Sequence, residues 1–283
     1  MYGNNLTDPF QNNNGNPPAN GRVPIVYPNG SMLPSQPPQQ YISSAAPLPF
    51  APQKFSLEQA RLMDKILKYR KITYLTHFTR LENLASILRR GLFSRGALLN
   101  NPETANVRLN SEPLPLEWQF ALSLNISFPD YKLFYKFQER MGYEWVVLIF
   151  DARILLEQSF YYFNRRAGEM IFSPGFNEQV SPYLQTPETF GILFQDFGDI
   201  KRTEMNIPLN YPTNPQSEIL TFAPVGMRWL REVHFYNDYK LKQWWLQNMD
   251  LALSLDKRLW KAEMTYFSPR CDYTFWKTDR QRR

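Results

Sequence analysis

The sequence predicts an α+β fold, because it contains both strand-like and helix-like segments with their own boundary signals. Strand alternation or continuous apolar runs occur at residues 72–78, 120–128, 145–151 and 217–222. Helical spacing occurs after Ser56, which with Gln59 is predicted to form a capping box at the start of a helix. At 283 residues, the chain has room for one large domain or two small ones.

Residues 1–52 differ in composition from the rest of the chain and are predicted to form a flexible arm. The first 50 residues hold 10 of the 23 prolines, and their only charged side chains are Asp8 and Arg22. Such a composition cannot bury enough surface to offset the entropy lost on ordering. Residues 53–283 are therefore predicted to form the folded domain, and they carry the whole net charge of +6.

Cysteine and histidine are scarce, which argues against several classes of site. The single cysteine, Cys271, excludes a disulfide framework, and two histidines argue against a zinc site. No apolar stretch approaches the roughly 18 residues of a membrane span, and the N-terminus lacks the basic start and apolar run of a signal peptide. A cytoplasmic, reducing setting is the expectation.

The positive charge is concentrated in two segments that are rich in aromatic residues. Residues 64–108 carry nine Lys or Arg against three acidic residues, and residues 256–283 carry eight against four. Cations that follow phosphates and rings that stack on bases are typical of proteins that bind single-stranded nucleic acid. A solvated basic surface is the alternative.

The strand at residues 72–78 carries His77 near its end and is predicted to lead directly into a helix. Thr79 and Glu82 form a capping box, in which the hydroxyl accepts from the Glu82 amide and the carboxylate reaches back. Gly91 ends the helix, because glycine tolerates a left-handed backbone. The pattern predicts a histidine at the mouth of a cleft, beside helix amides that favour an anion such as a diphosphate. A packed or capping histidine is the alternative.

Two further strands are predicted around polar side chains. In residues 120–128, Ser123, Asn125 and Ser127 alternate with apolar residues, so the small polar face should line a cleft or meet solvent. A Pro-rich turn then precedes Glu218 at the start of the apolar strand at residues 217–222. A partly desolvated carboxylate needs a reason for that position, unless it is an exposed edge residue.

The segment HFTRLENLASILRRGLFSR resembles the first NAD-contacting block of the DarT family of DNA ADP-ribosyltransferase toxins. That block is roughly His-x-Thr-x-x-x-Asn-Leu-x-x-Ile-Leu-x-x-Gly-Leu, and His77, Thr79 and Asn83 fall on it. Four later segments are similar to later blocks of one branch, in the same order, so the resemblance covers roughly residues 55–280. They are SLNISFPDYKLFYKF, WVVLIFDARIL, YPTNPQSEIL and RCDYTFWK.

The resemblance implies an ADP-ribosyltransferase fold, a split and strongly bent β-sandwich with flanking helices that holds NAD in a cleft. It implies that His77 contacts the nicotinamide-side ribose within a cofactor-binding block that includes Thr79 and Asn83. Ser123 and Ser127 would supply hydroxyl groups on the second strand. The catalytic glutamate of the family corresponds to Glu218.

The basic catalytic residue of the family has no direct match in this sequence. The commoner branch has an arginine within a run that ends Pro-Arg-Ser-x-Met, whereas this chain has Pro129-Asp-Tyr-Lys132-Leu133. Lys132 is the candidate, although a lysine lacks the bidentate fork of an arginine.

The function that the resemblance implies is a toxin that transfers ADP-ribose from NAD, its co-substrate, to a base in single-stranded DNA without a metal. Thymine and guanine are both open as the base. The resemblance also implies an antitoxin partner, a macrodomain-type ADP-ribosyl hydrolase. Two alternatives remain: a transferase that acts on RNA or protein, and a non-catalytic nucleic-acid-binding module on the same scaffold.

Overall fold

The computed structural model describes residues 54–100, 114, 116–141, 144–173, 176 and 184–276, which all lie in one compact unit, Pro47–Arg283. The arm predicted at residues 1–52 lies outside the described residues. So do residues 101–113 and 115. None of the helices in the described part of the chain combines the length and apolar character that a membrane crossing needs.

A mixed sheet of seven strands forms the centre of the described part of the chain, in the order β4-β5-β2-β1-β3-β6-β7. Neighbouring strands are antiparallel except for the parallel pair β6–β7 at one edge. The strands are β1 (Tyr74–Arg80), β2 (Leu122–Ile126), β3 (Trp145–Asp151), β4 (Tyr161–Phe163), β5 (Glu218–Thr221), β6 (Leu230–Phe235) and β7 (Trp260–Ala262).

Helices cover both faces of this sheet, which confirms the predicted α+β class. Met63 and Leu84 belong to the core cluster on one face, and Phe134 belongs to the cluster on the other. The helices of the described residues are α1 (Leu57–Arg70), α2 (Leu84–Arg90), α3 (Arg95–Leu99), α4 (Tyr131–Met141), α5 (Ile154–Glu157), α6 (Ala167–Ile171), α7 (Pro187–Ile192), α8 (Asp238–Gln247) and α9 (Met249–Leu253).

Strand β3 shows why a continuous apolar run predicts an interior strand. Its alternate residues Val146, Leu148 and Phe150 enter the core cluster that holds α1 and α2. Val147 and Ile149 enter the cluster that holds Phe134 of α4. Because successive side chains point to opposite faces, a strand covered on both faces must be apolar at every position. The predicted bounds of this strand are confirmed.

Strand β2 belongs to two parts of the sheet, and the sheet splits beside it. Its first half, Leu122 to Leu124, pairs with β5. Its second half pairs with β1 at two positions, Leu75–Ile126 and Thr76–Asn125. Beyond these positions, β1 continues in the described ladder with β3 and leaves β2. The split that the sequence resemblance implied therefore lies between β1 and β2.

The predicted capping box at Ser56 is confirmed, whereas the one at Thr79 is wrong. The Ser56 side chain accepts from the Gln59 amide, and the Gln59 side chain accepts from the Ser56 amide. Thr79 instead stays inside β1 as a partner of Val146 in the ladder with β3. Pairing with β3 keeps the backbone extended through that ladder and overrides the local helix signal.

The helix after β1 therefore starts later than predicted. A 3₁₀ turn, Leu81–Asn83, follows the strand, and α2 begins at Leu84. Gly91 ends α2 with φ of 95°, as predicted from its sequence position. A Cβ atom there would lie 3.1 Å from the carbonyl oxygen of Val225, so the position also needs glycine for space.

Candidate active site

Glu218 stands at the first position of β5 as a half-buried carboxylate, as the sequence predicted. Its Oε2 accepts a hydrogen bond from the backbone amide of Ala167 at 3.0 Å, at the start of α6. Burial raises the pKa of Glu218 to about 7, although the Ala167 amide and the charge of Arg166 act in the opposite direction. A carboxyl group that titrates near neutral pH is suited to acid–base chemistry.

A buried arginine holds the turn that leads into β5. Arg270 donates to the carbonyl oxygens of Pro212 and Thr213, each at 2.9 Å. It also makes a bidentate pair with Asp272, at 2.6 Å for both bonds, and both side chains are at most 2% exposed. The indole Nε1 of Trp276 donates to Asp272 at 2.9 Å. A charge pair that donates to backbone carbonyls fixes the turn in one conformation.

A second arginine, Arg202, also holds this turn. Arg202 donates to the carbonyl oxygen of Tyr211 at 2.8 Å and to the hydroxyl of Thr213 at 3.1 Å. Burial lowers the pKa of Arg202 to about 10, so the side chain stays charged at neutral pH. Asn214 adds a hydrogen bond from its amide to the carbonyl oxygen of Asn164 at 2.9 Å. The position of the carboxylate is therefore set by contacts from distant parts of the chain.

Asn125 links β5 to the polar face of β2. Its side-chain amide donates to the carbonyl oxygen of Ser217 at 3.1 Å, and Asn125 is buried. The ladder places Ser123 opposite Leu220, two residues after Glu218, so the side chains of Ser123 and Glu218 lie on the same face. The polar face predicted for β2 is therefore the face that adjoins the candidate carboxylate.

His77 lies where β1 leaves β2. Its Nδ1 is 2.9 Å from the carbonyl oxygen of Ser123, so the ring occupies the gap where the ladder would have continued. Because a carbonyl oxygen only accepts, Nδ1 carries the proton and Nε2 is an acceptor in the neutral ring. Burial lowers the pKa of His77, while the bond to Ser123 acts the other way. The structure thus brings His77 and Ser123 together at the split.

The other residues of the predicted cofactor set are buried. Thr79 and Asn83 contact one another, through a bond from the Asn83 amide to the Thr79 hydroxyl of 3.2 Å. Ser127 follows β2 with φ of 59°, and among the described residues its buried hydroxyl has no hydrogen-bond partner. Buried polar atoms without a partner are uncommon, and this hydroxyl is enclosed, because Ser127 is 0% exposed. Direct contact of these three residues with a cofactor stays a prediction.

Lys132 lies in the first turn of α4, beside a buried ion pair. The Nε of Arg166 donates to Oδ2 of Asp130 at 3.1 Å, and Asp130 is 1% exposed. Burial lowers the pKa of Lys132, with Asp130 raising it and Arg166 lowering it. Arg166 also lowers the pKa of Glu218, so it is a second candidate cation that the sequence reasoning missed. No local motif marks it, because its partner precedes it by 36 residues.

The site combines a carboxylate, which can stabilise a positive charge, with cations that can hold an anion. Glu218 supplies a desolvated carboxylate, and Lys132 and Arg166 supply positive charge. Among the described residues, no group of three or more His, Cys, Asp and Glu side chains is placed to hold a metal ion. Glu218, Lys132 and Arg166 provide acid–base and electrostatic chemistry from side chains.

Comparison with known proteins found similarity among solved structures. No protein-family model and no curated protein matches the sequence. Thermus sp. 2.9 DarT in complex with NAD+ is 14% identical, with 69% of this chain and 98% of that chain covered and a TM-score of 0.45. The same protein in complex with ADP-ribosylated ssDNA is 13% identical, with 69% and 96% covered and a TM-score of 0.45.

A DarTG structure also matches. Thermosipho africanus DarTG in complex with ADP-ribose is 11% identical, with 69% of this chain and 51% of that chain covered and a TM-score of 0.45. The identities and TM-scores of these three matches are low. All three are DarT or DarTG proteins, of the kind that the sequence blocks of this chain resemble.

Proposed function

We propose that this chain is an ADP-ribosyltransferase that moves ADP-ribose from NAD to a base in single-stranded DNA. The observation that carries the proposal is the half-buried carboxylate of Glu218 at the first position of β5, on the face of the sheet that it shares with Ser123 of β2. The ordered sequence blocks that resemble DarT proteins support it independently. A toxin role, countered by a macrodomain-type hydrolase, is part of the proposal and rests on that resemblance alone.

The first chemical step breaks the bond between nicotinamide and ribose. The bonding electrons leave with nicotinamide, and positive charge develops on the ribose in an oxocarbenium-like state. An ionised Glu218 that accepts from the ribose 2′-hydroxyl stabilises this charge as it forms. His77, at the gap between β1 and β2, would contact the same ribose.

The cofactor would lie along this gap. Ser123 and Ser127 would offer hydroxyl groups from the β2 side, and Thr79 and Asn83 belong to the block that follows His77. Lys132 would hold the diphosphate or the base as it becomes anionic, a task that a point charge can perform.

In the second step, a nitrogen of the base attacks C1′ of the ribose. The nitrogen loses its proton, and Glu218 helps to remove it. The base must leave any stack to reach C1′, which is easiest in a single strand. The net charge of +6 favours a polyanionic substrate.

The direct test is to incubate the protein with NAD and single-stranded oligonucleotides of varied sequence, and to analyse the products by mass spectrometry. The expected result is a mass increase of one ADP-ribose on an oligonucleotide, and fragmentation then identifies the base. Labelled NAD offered with RNA or protein tests the alternative substrates. A binding module without catalysis would release no nicotinamide, and that outcome would contradict the proposal.

A further inference from the structure

Two cations and two aromatic rings form a continuous surface row beside the candidate site. The guanidinium carbon of Arg165 lies 5.6 Å from the ring centroid of Phe197. The rings of Phe197 and Trp276 have centroids 5.9 Å apart. The Nζ of Lys132 lies 5.4 Å from the ring centroid of Trp276. We call Arg165, Phe197, Trp276 and Lys132 the cation–ring row.

Both ends of the cation–ring row are attached to the ion pair beside Glu218. Arg165 is the neighbour of Arg166, and Lys132 comes two residues after Asp130 in the chain. Arg166 and Asp130 are bonded at 3.1 Å, and the charges of both act on the pKa of Glu218. Each end of the row is therefore within two residues of a charge that acts on Glu218.

The rings are held in place but are not buried. Trp276 is half-buried, and its indole N–H is fixed by the buried Asp272 at 2.9 Å. Phe197 is half-buried in a tight turn closed by two backbone bonds with Ile200, each of 3.0 Å. Fixed, partly exposed rings lose little entropy when a flat ligand stacks on them.

We propose that the cation–ring row binds the nucleotides that flank the target base in the single strand. Bases would stack on Phe197 and Trp276, and the guanidinium of Arg165 would meet the backbone phosphate. Two neighbouring rings with a cation at each end suit two successive bases whose flanking phosphates meet the cations. This inference rests on the proposed function and adds the surface that holds its substrate.

The test uses Phe197→Leu and Arg165→Gln in the full chain, with Tyr239→Leu as the control. Tyr239 is a 63% exposed ring on α8, which packs on β6 and β7 at the far edge of the sheet. Affinity for a fluorescent single-stranded oligonucleotide is measured by anisotropy. Each row variant should bind about tenfold more weakly, the scale of one lost stacking or phosphate contact, and the control should bind like the native protein.

A second readout separates this inference from the proposed function. Release of nicotinamide from NAD without DNA is measured for the same variants, and its KM should change far less than the oligonucleotide Kd. Native oligonucleotide affinity in both row variants would overturn this inference while leaving the proposed function intact. A raised KM for NAD in Phe197→Leu or Arg165→Gln would also overturn it, because Phe197 and Arg165 would then hold the cofactor. A native protein that neither binds oligonucleotide nor releases nicotinamide would refute the proposed function itself.

Discussion

The backbone amide of Ala167, at the start of α6, donates to the Glu218 carboxylate at 3.0 Å. Among the described residues, this is the only hydrogen bond that the carboxylate accepts. The bond favours the ionised form, yet burial outweighs it and raises the pKa of Glu218 from 4.5 to about 7. The protonation of this group therefore changes in the neutral range.

The first prediction concerns the pH dependence of the reaction. Nicotinamide release should rise as pH increases through about 7, because the ionised carboxylate stabilises the ribosyl cation.

The stability of the fold should change in the opposite direction. Because the pKa of Glu218 is raised in the folded state, this group contributes stability that is fully present below its ordinary pKa of 4.5 and is lost as pH rises through about 7. Rates and melting temperatures between pH 5 and 9 measure both. A rate independent of pH in the native protein would contradict the assignment.

The second prediction concerns removal of the carboxylate. Glu218→Ala should fold and lose at least about 100-fold in transfer rate, the scale of a key electrostatic group. Glu139→Ala, which removes an exposed carboxylate from α4, is the matched control and should react like the native protein. Rates are measured by nicotinamide release and folding by circular dichroism. Transfer at the native rate by a folded Glu218→Ala protein would exclude Glu218 as the catalytic residue.

The third prediction concerns the charges next to Glu218. Asp130 raises the pKa of this carboxyl, and Arg166 lowers it. Asp130→Asn should therefore move the midpoint of the pH–rate profile to lower pH, and Arg166→Met should move it to higher pH. A shift of the same sign in both variants would show that the two changes act through misfolding rather than through charge.

The fourth prediction concerns Arg270 as a positioning residue. Arg270→Met leaves Asp272 buried without its partner and should cost about 3–5 kcal/mol of unfolding free energy. The double variant Arg270→Met with Asp272→Leu should recover most of this stability, because neither charge remains buried alone. Its kcat should stay low, since the bonds to the carbonyls of Pro212 and Thr213 are gone. Recovery of both stability and kcat in the double variant would show that Arg270 stabilises the fold but does not position Glu218.

The fifth prediction concerns salt. If three or four phosphates are neutralised, log affinity for a single strand should fall against log salt with a slope of about −2 to −3. The affinity for NAD should fall much less, and stacking should leave a residual affinity at high salt. Duplex DNA should react far more slowly, because its base must be unstacked. A flat salt response, or equal modification of duplex, would favour a protein substrate.

Sequence patterns predicted the features that arise from local periodicity. The apolar run of β3 and the Ser56 capping box were both identified, because their signals lie within one element. The Thr79 capping box failed because pairing of β1 with β3 kept Thr79 in the strand. A local signal cannot show which distant strand will compete for the same residue.

The contacts that hold the site were not predictable in this way. Arg270 reaches the carbonyl of Thr213 across 57 residues, and Arg166 reaches Asp130 across 36. Neither spacing follows a helix or strand period, so neither leaves a pattern in the sequence. The position of Glu218 was predictable from its Pro-rich turn and apolar strand, but the partners that fix it were not.

The joint between β1 and β2 consists of two residue pairs, and this small number affects where the sheet can bend. Seven residue pairs join β1 to β3, whereas two join it to β2, so bending of the sheet should concentrate at Thr76 and Asn125. His77 lies on one side of this joint and Glu218 on the other. A ligand that contacts both residues would connect the two parts of the sheet and restrain this bending. Amide hydrogen exchange at Thr76 and Asn125 should then slow when NAD binds. The exchange rate at these two residues would therefore indicate whether the cleft is occupied.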